Sequence, residues 1–185
     1  MSPHRNCLLA AAFASLVLAT VPQPAFAQAD DAIDRFAITE LMDLYGVIHD
    51  FGTPEQYADL FTSDGEIAVS RGGRAVIQGR EGLIAQARRD HEKYLRPTGP
   101  NGENEFFMRH VISNKTVTLT GADTAEGSCF VITLVNDGEN GPAMLSFGRY
   151  FDTYVKQDGK WLIARREIVL DFGNEDLAVR FGFRS

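Results

Sequence analysis

Hydrophobic side chains recur every three or four positions along residues 31–49, a spacing that predicts an amphipathic helix. The repeat consists of Ile33, Phe36, Ala37, Leu41, Leu44, Tyr45 and Ile48. Asp30 or Asp31 is suited to cap the start of this helix, because its carboxylate can accept hydrogen bonds from the first backbone N–H groups. Gly52 ends the pattern. One face of the first helix should therefore pack against the body of the protein.

Two more helices follow the same logic. Thr53 fits an N-cap and Pro54 the first helical position, which predicts a short second helix through Leu60. Residues 80–95 predict a third helix, and a polar loop with glycine and proline follows from Pro97 to Asn104. The residues available for the inner side of the third helix are Leu83, Ile84, Ala87 and Tyr94.

The remaining pattern favours strands. A short hairpin is expected from Glu66–Ser70 and Ala75–Gln78, turning at Gly72-Gly73. Four long runs rich in β-branched and aromatic residues then follow, at Phe106–Leu119, Thr124–Val135, Ala143–Lys156 and Trp161–Asp171. Short polar turns between the runs predict mostly antiparallel pairing. Helices first and long strands afterwards indicate an α+β fold, whose curled sheet would leave a concave interior for a small ligand.

The first 27 residues resemble an export signal. Arg5 precedes an apolar run from Leu8 to Val21, and small residues at Ala25 and Ala27 form an A-x-A cleavage pattern. The run is shorter than the ~20 residues that a spanning helix needs. We therefore expect cleavage after Ala27, a periplasmic or secreted protein, and a single domain over residues 28–185. The alternatives are a buried N-terminal helix and an uncleaved anchor.

Charge and cysteine content narrow the range of partners. The formal net charge is −7, and loss of Arg5 with the leader makes the mature domain one unit more negative. Such a domain repels phosphate backbones and anionic lipids, so neither nucleic acid nor a membrane is an expected partner after cleavage. Cys129 is the one cysteine left in the mature chain, and its apolar surroundings indicate a small buried hydrophobe.

Two segments carry candidate chemistry. On a strand, His110, Ile112 and Asn114 face the same side, which would place two polar groups in an apolar cavity. The alternative for His110 is a core histidine whose ring is satisfied by a neighbour. Asp50 falls at the C-terminal end of the first helix, where the helix dipole disfavours a carboxylate. We therefore expect Asp50 to pair with a positively charged group; the alternative is that it is exposed to solvent at the end of the helix.

An ordered set of short motifs identifies a family. The set comprises Ile38-x-x-Leu41-x-x-x-Tyr45, Asp50, Leu60-Phe61-Thr62-x-Asp64-Gly65, Gly79-Arg80-Glu81-Gly82-Leu83, Arg109-His110-x-x-x-Asn114, Gly148-Arg149-Tyr150-x-Asp152 and Asp158-Gly159-x-Trp161-x-Ile163-x-x-Arg166. Over residues 32–172 the chain resembles the SnoaL-like branch of the NTF2-like superfamily, which includes scytalone dehydratase and hexachlorocyclohexane dehydrochlorinase. The resemblance implies a cone, in which a strongly bent, mixed, mostly antiparallel sheet and three helices enclose a pocket. Homo-dimers or homo-trimers are common in such families.

The resemblance also implies functional roles. In catalytic members an Asp at the end of the first helix pairs with a His on the first long strand, and these roles fall on Asp50 and His110. Such a carboxylate fixes the imidazole tautomer and stabilises its protonated form, so His110 can act as a general base. We expect Asn114, Tyr45, Ile112 and Phe147 to contact the substrate, although core packing is the alternative for Tyr45 and a core or interface strand for Phe147.

Other polar residues have simpler interpretations. His49 points about 100° away from Asp50 on a helix, which places it at the surface or an interface. His91 lies among charged residues and is expected on a solvated face, and Arg109 should lie on the outer face of the sheet. Arg149, Arg165 and Arg166 are expected to form salt bridges with Asp152, Asp171 or Glu167.

Three functions follow from these expectations. The first is a cofactor-free lyase, dehydratase or isomerase that acts on a small hydrophobic molecule through His110 and Asp50. The second is a non-catalytic carrier of such a molecule. The third is an interaction module whose cavity is plugged by Phe106, Phe107, Met108 or Phe147. The sequence has no metal-ligand spacing, phosphate loop or dinucleotide fingerprint, so no metal and no cofactor are predicted.

Overall fold

The computed structural model describes residues 25–97, 104–106, 108–136, 141–180 and 182, with side chains described for 29–93, 108–136, 141–180 and 182. The helices are α1 (Ala25–Phe51), α2 (Pro54–Ala58), α3 (Gly79–Tyr94) and α4 (Glu175–Arg180). The strands are β1 (Phe61–Ala68), β2 (Ala75–Gln78), β3 (Leu95–Pro97), β4 (Asn104–Phe106), β5 (Met108–Leu119), β6 (Thr124–Asn136), β7 (Pro142–Gln157) and β8 (Lys160–Gly173).

Six strands form one curved, unclosed sheet in the order β2-β1-β8-β7-β6-β5. The β1–β8 pair is parallel and the other four pairs are antiparallel. The α+β architecture and the mostly antiparallel mixed sheet predicted from the sequence are thus confirmed. The short β3–β4 pair was not predicted, because Leu95 was assigned to the third helix and Pro97 and Asn104 to a polar loop.

The main core lies between the helices and one face of the sheet. The helices contribute buried residues such as Ile38, Leu41, Met42, Tyr57 and Leu83, and the sheet contributes Ile67, Val131, Tyr154, Trp161 and Ile163. The predicted helix is present, but only part of its apolar repeat faces inward, because Ile33, Phe36 and Leu44 are exposed. The helix packs on the sheet along a single side, against β5 and β8, so its second apolar stripe has no sheet to cover.

The predicted salt bridges are present. Arg149 pairs with Asp171 at 2.8 Å, and Arg165 with Glu167 at 3.2 Å. Arg166 pairs with Asp152 in the interior. Arg109 is exposed, and its guanidinium lies 4.3 Å from the centroid of the Phe51 ring at the end of α1. Cys129 is buried as expected, and burial raises the pKa of its thiol to about 11.

Several sequence expectations fall on residues outside the described part. Residues 1–24 are among these, so the export leader stays a prediction, and α1 already begins at Ala25. The side chains of Phe106 and Phe107, two of the possible plugs, are likewise outside the described side chains. Within the described residues, no helix combines the length and hydrophobicity needed to span a membrane.

Candidate active site

A cavity of about 560 Å³ opens on the concave side of the sheet, between the strands, the helices α1–α3 and the start of α4. Residues of all four helices and of the six strands of the large sheet line it. Most of the sheet wall is apolar, with Ile67, Val131, Leu145, Ile168 and Leu170. The polar groups are concentrated near the helices, which is the arrangement of a site that encloses an apolar body and orients it with a few polar contacts.

The carboxylate of Asp50 and the ring of His110 meet at this cavity. Oδ1 of Asp50 lies 2.7 Å from Nδ1 of His110, and Oδ2 accepts the backbone N–H of His110 at 2.8 Å. The two side chains are only 4% and 8% exposed, and His110 lines the cavity. The carboxylate at the end of α1 therefore has the partner that its unfavourable position demands. Because the carboxylate accepts from Nδ1, the second ring nitrogen, Nε2, is left to accept a proton from another molecule.

A glycine brings α1 close enough to β5 for this pairing. A Cβ added at Gly46 would lie 3.1 Å from the carbonyl oxygen of His110 and 3.4 Å from Cγ1 of Ile112. Gly46 precedes Asp50 by four residues, so both lie on the same side of the helix. The close approach of the backbone at Gly46 places Asp50 within hydrogen-bond distance of His110 one turn later.

His49 and His91 differ from the sequence expectations. His49 is 5% exposed, lines the cavity, and its ring centroid lies 4.4 Å from that of His110 in an edge-to-face arrangement. Its Nε2 is 3.5 Å from Oδ2 of Asp90 on α3. The predicted surface position of His49 is wrong because α3 packs across the end of α1 and buries a second side of that helix.

The same packing buries His91, which is 9% exposed rather than solvated. Nε2 of His91 donates to the backbone carbonyl of His49 at 2.9 Å. That carbonyl belongs to the last turn of α1, whose carbonyl groups have no partners within the helix. His91 thus anchors the end of α1 that presents His49 and Asp50.

Burial sets the protonation state of His49. Desolvation is the largest effect and lowers the pKa of His49, and the adjacent His110 lowers it further. Asp90 and Asp50 act in the opposite direction but do not reverse the shift. His49 is therefore a neutral imidazole at neutral pH, and it adds no positive charge next to His110.

Tyr45 lines the cavity together with Tyr57, and their hydroxyl oxygens are 3.2 Å apart. Both rings are almost fully buried. The guanidinium of Arg166 lies 3.8 Å from the centroid of the Tyr45 ring, on the core side. Desolvation raises the pKa of both hydroxyls, so both tyrosines remain hydrogen-bond donors over the ordinary pH range.

The other predicted contact residues do not reach the cavity. Asn114 is exposed, has φ of 51°, and falls at an irregularity in the β5–β6 pairing between Ser113 and Thr116. This bulge shifts the inward–outward alternation by one residue, so the prediction that Asn114 shares a face with His110 is wrong. Ile112 packs into the core, and Phe147 is 41% exposed on the outer face, stacked on Phe172.

One group in the described part of the chain has the composition of a metal site. His49, Asp50 and His110 each offer a donor atom, and these atoms lie within 4.8 Å of one another. Both oxygens of Asp50 and Nδ1 of His110 are already joined in the pair described above. A metal ion bound to all three side chains would therefore share the Asp50 carboxylate with His110.

Solved structures share this fold. An NTF2-like protein with a cystatin-like fold from Novosphingobium aromaticivorans is 25% identical, with a TM-score of 0.66 over 83% of this chain and 92% of that one. A single-residue variant of Rv3472, a protein of unknown function from Mycobacterium tuberculosis, is also 25% identical, with a TM-score of 0.61 over 76% and 77% of the two chains. A candidate scytalone dehydratase from N. aromaticivorans, 24% identical over 80% and 91%, has a TM-score of 0.64 and supports the fold alone. A search of curated proteins finds no significant match.

The curved sheet, the helices on its concave side and the enclosed cavity together define an NTF2-like protein. The SnoaL-like domain model matches residues 30–167, which is most of the chain. The chain belongs to the SnoaL-like family.

Proposed function

We propose that this protein is an exported, cofactor-free lyase, dehydratase or isomerase that acts on a small, largely apolar molecule. The observation that carries the proposal is the Asp50–His110 pair, joined at 2.7 Å and open to a mostly apolar cavity of about 560 Å³. Fold membership alone would not support this step, since one fold hosts many functions.

In the proposed reaction, Nε2 of His110 removes a proton from a carbon next to a leaving group or a carbonyl. The electron pair of the C–H bond then forms a double bond, either expelling the leaving group or giving an enolate. Asp50 stabilises the imidazolium that results, and it holds the ring in the required tautomer throughout. The imidazolium returns its proton to the leaving group in a lyase, or to another carbon in an isomerase.

Substitution of the pair tests the proposal. Purified mature protein is assayed against a panel of small β-hydroxy carbonyl, haloalkane and enone compounds. On any compound that is turned over, His110→Ala and Asp50→Asn should each lower kcat by about 10²- to 10⁴-fold while the folded state survives. Asp43→Asn is the matched control, because it removes a carboxylate from the same helix at an exposed position paired with Lys115. Full activity without His110 would refute the mechanism.

The apolar sheet wall favours a second candidate, a carrier of a small hydrophobic molecule. A carrier needs the cavity but not the proton transfer, so its ligand affinity should be unchanged in His110→Gln. The same compound should be recovered chemically unaltered after incubation with the unsubstituted protein. Conversion of the bound compound would exclude this alternative.

Export is part of the proposal because of the N-terminal pattern described above. The expected N-terminus of the protein recovered from the periplasm or the medium is Gln28, as determined by N-terminal sequencing. Recovery of a chain that still begins at Met1 would contradict it.

A further inference from the structure

The cavity wall formed by α3 is polar, in contrast to the apolar wall formed by the sheet. The residues of α3 that line the cavity are spaced by three and four positions, as expected of one helix face: Gln86, Arg89, Asp90 and Lys93. The opposite wall is mostly hydrocarbon. A ligand that fills the cavity and matches both walls must therefore be amphipathic.

Arg89 stands out among the arginines of α3. Its Nη2 donates to Oε1 of Gln86 at 2.8 Å, which is a contact with a neutral group. Its neighbours on the helix are neutralised, because Arg80 pairs with Asp59 at 2.6 Å and Arg88 with Glu55 at 3.9 Å. Within the described residues, no carboxylate lies within salt-bridge distance of Arg89. Its remaining N–H donors are thus available to a negatively charged group from outside the chain.

Two carboxylates line the same cavity and have to be considered. Asp90 is buried, and its Oδ2 accepts from Nε2 of Gln86 at 2.6 Å and lies 3.5 Å from His49, so its charge is engaged inside the wall. Glu175 is exposed at the start of α4. The exposed lining residues therefore include two cations, Arg89 and Lys93, and one carboxylate, in a chain whose net charge is −7. A locally positive mouth would steer an anion that the rest of the surface repels.

We propose that the ligand of this cavity is an amphipathic organic anion. Its apolar body lies against the sheet wall, and its carboxylate, sulfonate or phosphate group is held at the mouth by Arg89, with Lys93 beside it. This inference rests on the proposed function and adds the substrate class to it. It also orients the substrate, since an anion fixed on α3 directs the apolar body towards His110.

A matched pair of fluorescent probes tests the inference without knowledge of the natural substrate. N-phenyl-1-naphthylamine is neutral, and 1-anilinonaphthalene-8-sulfonate is the same arylamine with a sulfonate. The protein should bind the sulfonate about three- to tenfold more tightly at low salt, as expected for one partly exposed ionic contact. Arg89→Gln should remove most of this preference, and 0.5 M NaCl should reduce it. Arg88→Gln is the matched control and should leave the preference intact.

Two further measurements locate the site and identify the anion. Val76→Trp places an indole at an exposed position that lines the cavity, and it should weaken binding of both probes. Displacement of the sulfonate probe by octanoate, octyl phosphate and neutral octanol should favour an anion over the alcohol. The ratio of the concentrations of octanoate and octyl phosphate that displace half of the probe shows whether a carboxylate or a phosphate is preferred.

Each outcome has a distinct meaning. Equal affinity for the two probes, or equal effects of Arg89→Gln and Arg88→Gln, would overturn the anion inference and leave an apolar ligand site in place. Failure of both probes and all three competitors to bind would overturn the cavity as a ligand site altogether. The role of His110 is tested separately, because His110→Ala should lower kcat by about 10²- to 10⁴-fold while the preference for the anionic probe persists.

Discussion

Two buried carboxylates each pair with a basic side chain, and the two pairs differ in what they can do. Asp152 and Arg166 are register partners on β7 and β8, joined by two hydrogen bonds of 2.8 and 2.6 Å. Asp50 and His110 join the end of α1 to β5 by one side-chain contact of 2.7 Å. Both side chains of the first pair are 0% exposed, whereas His110 lines the cavity.

The basic partner of each carboxylate decides the difference. Burial by itself would lower the pKa of Arg166, but Asp152 raises it well above its ordinary value, so Arg166 is permanently charged. The rings of Tyr45 and Tyr150 also enclose it, at 3.8 and 4.3 Å. The imidazole of His110, in contrast, can both accept and donate a proton, and it lines the cavity. Burial of a charge pair therefore does not by itself indicate a catalytic site, and a titratable member that is open to a cavity is also required.

The largest effect on stability should come from breaking the Asp152–Arg166 pair. Asp152→Ala leaves the charge of Arg166 buried without its partner, and we expect a loss of about 3–5 kcal/mol in the free energy of unfolding. This is a large part of the stability of a typical domain. Urea denaturation of the two proteins measures the difference.

A double substitution separates the cost of an unpaired charge from the value of the pair. Asp152→Leu with Arg166→Met removes both charges and should recover much of the lost stability, because buried pairs are often no better than apolar packing. If Asp152→Ala alone costs less than about 1 kcal/mol, the assignment of this pair as a structural element is wrong.

Breaking the Asp50–His110 pair should have the opposite balance of effects, with a smaller loss of stability than of activity. Asp50→Asn keeps an acceptor for the backbone N–H of His110 and removes only one charged hydrogen bond. The expected loss is about 1–2 kcal/mol in the free energy of unfolding. The measurement is the same urea series, and a loss as large as that of Asp152→Ala would erase the distinction between the pairs.

Burial of His49 should make the stability of the protein depend on pH. Folding lowers the pKa of His49, chiefly by burial, so the unfolded chain binds a proton at a pH where the folded chain does not. The contribution of His49 to the free energy of unfolding is therefore fully present above about pH 6.5, the pKa of histidine in the unfolded chain. It falls as the pH drops below that value. Between pH 7.5 and 5.5 this site should contribute a loss of at most about 1.4 kcal/mol in the free energy of unfolding.

His49→Gln isolates that contribution, because the remaining histidines and carboxylates titrate in both proteins. The variant should lose less stability between pH 7.5 and 5.5 than the unsubstituted protein. Identical pH dependence of the two urea midpoints would show that folding leaves the pKa of His49 unchanged, and the lowered pKa attributed to its burial would have to be abandoned.

The pair at the cavity could be predicted from the sequence, but its surroundings could not. Asp50 is conspicuous because a carboxylate opposes the helix dipole at the end of α1, and the ordered family motifs indicated His110 as its partner. Asn114 was misplaced because the bulge after Ser113 changes the phase of β5, and no local residue pattern marks it. His49 and Gly46 were missed because their roles depend on how α3 and β5 pack against α1, which is a tertiary contact between segments distant in sequence.

The smallest effect is expected at a third pair, near the start of the described part of α1. Oδ1 of Asp34 accepts from Nζ of Lys156 at 2.7 Å and from Nε1 of Trp161 at 2.8 Å. Desolvation would raise the pKa of Asp34, but these two donors outweigh it and lower the pKa. The stabilisation is therefore present above pH 4 and is lost as the pH falls through the pKa of Asp34 in the folded protein.

Because the Asp34–Lys156 pair is close to solvent and screened, Asp34→Asn should lower the melting temperature at pH 7 by only about 2 °C. This decrease in melting temperature should be smaller still in 1 M NaCl, which screens exposed charges. The decrease caused by Asp152→Ala should not change, because salt cannot screen the buried charge of Arg166. Equal salt sensitivity of the two variants in parallel melting curves would mean that burial does not separate the interior pair from the surface pair.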